Sequence, residues 1–124
     1  MNIALWVAAA VLALVFLASG ASKLVEPREK LIARGYAWAE DYSPSQVRLI
    51  GLIEVLGAVG LILPAALGIE ETLTPLAATG LALVMAGAAV VHIRRKEFKV
   101  LASPLVLGGI AGVLAALRFG PYSF

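Results

Sequence analysis

The chain has 124 residues, of which 61% are hydrophobic and 15% charged, and a mean hydropathy of +0.96. Soluble domains carry about 25% charged residues, and so short a chain has no core large enough to hide this much apolar surface from water. A formal charge of +2 argues against nucleic acid as a partner, and the lack of cysteine excludes disulfides, thiol redox chemistry and iron–sulfur clusters held by this chain.

Hydropathy divides the chain into four apolar runs. The fold they imply is all-α, a polytopic membrane four-helix bundle. It forms one transmembrane domain over residues 1–124, with spans at about 3–24, 44–67, 75–96 and 100–119. Backbone groups in lipid must bond within their own segment, so these runs are helices rather than open strands. The first run has no basic residues ahead of Ile3, and it exceeds the usual signal-peptide core of about 7–15 residues. It is expected to stay in place as a transmembrane helix, although Ala18 to Ala21 offers small residues for cleavage.

The connection from Val25 to Ser43 mixes Leu31, Ile32, Tyr36 and Trp38 with Arg28, Lys30 and Arg34. A short helix lying among lipid headgroups uses this mixture; a solvated loop with aromatic anchors is the other reading. Ser43-Pro44-Ser45-Gln46 then has the form of a capping box with proline at the first helical position, and Thr74-Pro75 and Ser103-Pro104 repeat the cap-plus-proline order. Pro64 is expected to kink or end the second span, and Gly68 suits a helix C-terminus.

Nine of the ten Lys and Arg residues flank the first and third connections, leaving Arg118 alone at the other side. The positive-inside rule places those two connections in the cytoplasm of a bacterium, with both termini and the Glu70-Glu71 loop outside the inner membrane.

Glu54 lies within the second apolar run. A charge at membrane depth costs roughly 2.5–3.5 kcal/mol on insertion scales, so it persists where it faces protein or pairs with a cation. Arg48 is a poor partner, because six residues turn a helix by about 600° and leave the two side chains some 120° apart. Lys23, from the end of the first span, is the better one. Ser19, Ser22 and His92 reach the same depth, and Arg48 suits a headgroup anchor. This polar cluster reads either as a pin between helices or as a site that binds a ligand or moves a proton. His92 reads as an interfacial residue or as a proton relay. A single histidine cannot supply a haem with two histidine ligands, and no metal-ligand spacing occurs.

Small residues mark packing faces: Gly51, Gly57 and Gly60 in the second span, Gly80 and Gly87 in the third, Gly108 and Gly112 in the fourth. Val47, Gly51, Glu54, Ala58 and Leu61 share one helical stripe.

Three stretches carry a family resemblance: Ser19 to Leu24 closing the first helix, Arg48 to Leu61 opening the second, and Ala86 to Arg95 closing the third. In their order and spacing the chain resembles the DoxX-like family of small bacterial membrane proteins. The resemblance implies a four-helix membrane bundle and carries the Lys, Glu and His positions onto Lys23, Glu54 and His92. It also implies a link to membrane redox processes, including quinone-coupled ones. The expectation is an accessory subunit without stand-alone catalysis that binds a lipid-soluble molecule, a quinone being one candidate, beside a redox partner protein. A self-associating scaffold, a homo-oligomer built through Gly108 and Gly112, is one alternative. A small proton-linked transporter or channel around Glu54 and His92 is another.

Overall fold

The computed structural model describes residues 2–124. Within them the chain forms α1 (Asn2–Val25), α2 (Arg28–Ala33), α3 (Pro44–Ala66), α4 (Leu73–Arg94) and α5 (Ala102–Phe119), with 3₁₀ turns at Ala37–Asp41 and Phe98–Val100. Helices α1, α3, α4 and α5 (the last with its preceding turn) are long and apolar enough to cross a membrane. Their outward faces carry Val7, Leu14, Leu56, Leu83 and Val113, each more than half exposed. An apolar surface this extensive is stable against acyl chains and not against water.

The apolar core fills one half of the bundle. Leu5, Leu12 and Phe16 of α1 meet Ala58 and Leu61 of α3, Leu81 and Met85 of α4, and Ala111 and Leu114 of α5. Helix α3 buries Val47, Gly51, Glu54, Ala58 and Leu61, the stripe that the 3.6-residue period selects. Backbones touch where side chains are absent. A Cβ on Gly20 would stand 2.6 Å from the Gly51 carbonyl oxygen, and one on Gly51 would stand 2.7 Å from that of Gly20. Gly57 and Gly60 play a similar part between α3 and α4, against Leu81 and Ala77.

The capping box at Ser43 forms as its sequence requires: the Gln46 N–H donates to Ser43 Oγ, and the Ser43 N–H donates to Gln46 Oε1. The other two cap-plus-proline pairs behave differently. Helix α4 begins at Leu73 and α5 at Ala102, so Pro75 and Pro104 occupy the third helical position rather than the first. That position is tolerated, because the N–H that proline lacks would have no carbonyl four residues back within the helix to bond. Thr74 consequently caps nothing. Its hydroxyl donates to the Leu61 carbonyl at 3.0 Å and ties α4 to α3. Pro64 stays inside α3, which ends two residues later.

Three helices end in the same hydrogen-bonded closure, a Schellman motif with a left-handed residue just past the C-cap. In α2 that residue is Gly35, in α3 Gly68 and in α4 Lys96, with φ of 110°, 69° and 58°. Lys96 pays a steric cost there of roughly 1–2 kcal/mol that glycine avoids. Each closure turns the chain back on the helix it leaves, and two of them aim residues at the polar half of the bundle. Tyr36 bonds back to the Leu31 carbonyl, and Glu97 to that of His92.

The first connection is a folded cap, with a six-residue helix at its start and a 3₁₀ turn after it. The Arg28 guanidinium holds it by donating to the carbonyls of Ala39, Glu40 and Tyr42 at 2.9–3.0 Å. Leu31, Ala39 and Val47 are buried beneath it.

Candidate functional site

Lys23 lies one turn after Ser19 on α1, facing the α3 stripe. Its Nζ donates to Glu54 Oε1 at 2.6 Å and to Ser19 Oγ at 2.6 Å. Lys23 is 6% exposed and Glu54 1%. Gly51 makes this pairing geometrically possible, since a Cβ there would stand 2.7 Å from the Cβ of Lys23. The ammonium also sits 5.4 Å from the ring centre of Tyr36 and 5.8 Å from that of Trp38, within the range of cation–π attraction. A buried ion pair loses much hydration, and its attraction repays that loss only when the remaining polar atoms are satisfied. Lys23 has two oxygens and two aromatic rings for its three N–H groups. Glu54 is less well served: Oε2 makes no hydrogen bond to any described residue.

Lys23 and Glu54 line a cavity of about 1190 Å³ on the polar side of the core. Phe16 and Met85 border it toward the core. Tyr36, Trp38 and Tyr42 from the first connection form its aromatic wall, and Pro104 and Leu107 bring in α5. The three aromatic rings pack edge to face, Tyr36 on Trp38 at 6.3 Å and Trp38 on Tyr42 at 5.8 Å. Ligand sites commonly measure about 300–1,000 Å³, so there is room for a ring system and part of a chain.

A second polar group borders the same cavity. His92 Nδ1 lies 3.0 Å from Glu97 Oε1, and Arg95 Nε lies 3.3 Å from Glu97 Oε2. Arg95 Nη1 donates to Asp41 Oδ2 at 2.7 Å. This chain of contacts clasps the α4–α5 connection to the first connection. The hydrogen bond from His92 holds the Glu97 carboxyl below its ordinary range, and Arg95 adds to that effect against partial burial. The hydrogen bond to Asp41 raises Arg95 further above its ordinary value.

The residues expected to converge do so in part. Ser19, Lys23, Glu54 and His92 all line the cavity, but His92 is engaged by Glu97 rather than by Glu54. Arg48 is exposed near the start of α3, and neither it nor Ser22 lines the cavity. Among the glycines, Gly51, Gly57, Gly60 and Gly108 meet neighbouring helices, whereas a Cβ at Gly80, Gly87 or Gly112 would meet nothing within 4 Å. Reading the sequence missed Gly20, whose small size is needed at the same crossing as Gly51. It also missed the inward role of Tyr36, Trp38 and Tyr42, and the return of Glu97 to His92. The aromatic density of the first connection was the available signal.

The model of the DoxX-like family matches residues 7–115. The chain belongs to the DoxX-like family. No curated protein and no solved structure matches it. With four apolar spans, this DoxX-like protein is a multi-pass membrane protein. The matched range contains the Lys23–Glu54 pair, the aromatic wall and the His92–Glu97 contact. Beyond it lies Arg118, whose guanidinium donates to Asn2 Oδ1 at 2.7 Å and to the Tyr122 carbonyl at 3.0 Å and stacks on Phe124. That contact joins α1 to α5 at the end of the bundle away from the cavity.

Proposed function

We propose that this DoxX-like protein binds a lipid-soluble molecule with a polar head in the cavity beside Lys23 and Glu54. It would serve there as an accessory subunit of a membrane redox process, with no stand-alone catalysis and a redox protein as its partner. A quinone is one candidate occupant. The reading rests on one observation above all: a carboxylate 1% exposed, with one oxygen unpartnered among the described residues, lines a cavity of about 1190 Å³. A helix pin needs the ion pair but not the space. Unpartnered polar groups and a mostly apolar lining are together the mark of a ligand pocket. A separate apolar groove of about 410 Å³ lies between α1 and α5, lined by Leu5, Leu105, Val106 and Val113 among others.

The clustered basic residues support placing the cavity end at the cytoplasmic face of a bacterial inner membrane, with the termini outside. A short-chain quinone, titrated into detergent-purified protein, tests the reading through the fluorescence of Trp38, with Trp6→Phe removing the other tryptophan. Binding is expected in the parent protein and altered in Glu54→Gln. Unchanged binding in a folded Glu54→Gln protein removes Glu54 from the site.

A further inference from the structure

We infer that the polar group this cavity takes is a hydroxyl on an aromatic ring, so that the site prefers a phenol or hydroquinone to the corresponding ether or quinone. The inference rests on the cavity being a ligand site and names the chemistry of its occupant. It follows from counting donors and acceptors around one nitrogen.

A lysine ammonium has three N–H donors and no acceptor. Lys23 directs one to Glu54 Oε1 and one to Ser19 Oγ, both at 2.6 Å. The rings of Tyr36 and Trp38, with centres 5.4 and 5.8 Å from the nitrogen, attract the ammonium and compete for the third N–H. The ammonium therefore has little left to offer a carbonyl. Glu54 is the reverse case: Oε2 is buried and accepts nothing from any described residue. A buried carboxylate oxygen without a donor is costly, and an occupant that brings an O–H removes the cost. A quinone carbonyl at the same place would set acceptor against acceptor.

Ser19 completes the match. Its oxygen accepts from Lys23, and its own O–H remains to be donated. Ser19 and Glu54 are bonded to the same nitrogen, so one hydroxyl between them donates to the carboxylate and accepts from the serine. Oε2 itself has almost no accessible surface, so the contact requires the carboxyl to turn toward the cavity. The ring is specified by the wall it lies against: Tyr36 and Trp38, already packed edge to face, present aromatic surface beside the ammonium.

The test compares three molecules with the same tail, 4-octylphenol, 4-octylanisole and 1-fluoro-4-octylbenzene, titrated calorimetrically into the intact protein in one detergent. The phenol alone has a donor, and the fluoro compound controls for size. The phenol is expected to bind at least about tenfold tighter than both, as a hydrogen bond to a charged group requires. Glu54→Gln is expected to shrink that ratio. Equal affinities in the wild-type protein overturn the donor preference and leave the cavity as a binding site. If none of the three binds and a short-chain quinone also fails, the ligand-site reading itself falls. Binding of the quinone but not the phenol overturns only the inference made here.

Discussion

Replacing Lys23 with methionine keeps an unbranched side chain of similar length and removes the charge. The structure gives the size of the effect. Glu54 would lose its 2.6 Å bond to Nζ and, with Oε2 already unpartnered, would be buried with no donor on either oxygen. Breaking a buried pair from one side costs about 3–5 kcal/mol, whereas replacing both partners by apolar residues is often neutral or stabilising. Lys23→Met alone is therefore expected to lower the folding constant by more than about a hundredfold. The double variant Lys23→Met/Glu54→Leu should recover most of that loss. Glu54→Leu alone should cost less than Lys23→Met, because the ammonium keeps Ser19 and two aromatic rings. Reversible unfolding in mixed micelles, followed by helical signal as denaturing detergent is raised, measures all four proteins. The reasoning is refuted if Lys23→Met lies within about 0.5 kcal/mol of wild type, or if the two substitutions simply add.

Gly20→Ala should destabilise the protein by about 1–3 kcal/mol, because the new methyl meets the Gly51 backbone at 2.6 Å and the helices must separate. Gly112→Ala meets open space and should stabilise by roughly 0.5–1 kcal/mol in the same unfolding assay. The clasp at Glu97 should weaken in acid. Its folded-state carboxyl titrates below the ordinary value of 4.5, so its contribution is present above that value and is lost as pH falls through the lower folded one. Amide exchange at Phe98–Val100, normalised for intrinsic rate, should rise over that interval, and Glu97→Gln should show the raised exchange at neutral pH. Because the chain has no native cysteine, single cysteines at Lys30 and Glu71 report orientation directly. An impermeant thiol reagent applied to intact cells should label Glu71→Cys and spare Lys30→Cys; the opposite pattern reverses the proposed topology.

How far the site was legible depends on the range over which each signal acts. The buried stripe of α3 could be read residue by residue, since a helical period and an apolar environment decide which face turns inward. Pairing of Lys23 with Glu54 was also within reach, because few cations lie at that depth and long side chains find the nearest carboxylate. The aromatic wall was not. Tyr36 and Trp38 look like headgroup anchors until Arg28, bonding three carbonyls, folds the connection over α3. His92 looked like a partner for Glu54, but the closure of α4 at Lys96 delivers Glu97 to it first. Thr74 and Ser103 carried a cap signature, yet each helix began before its threonine or serine.

Composition and period alone were enough to establish four membrane-spanning helices, their approximate ends and the inward-facing stripe of α3 that carries the buried acid. These follow from the solvent and from hydrogen bonds made within a single segment. Which helices touch, where the Gly20–Gly51 crossing falls, and whether the acid borders a packed interface or an open chamber were decided by tertiary structure. Those outcomes depend on distances between residues far apart in the chain, and no local pattern encodes the space that two helices leave between them.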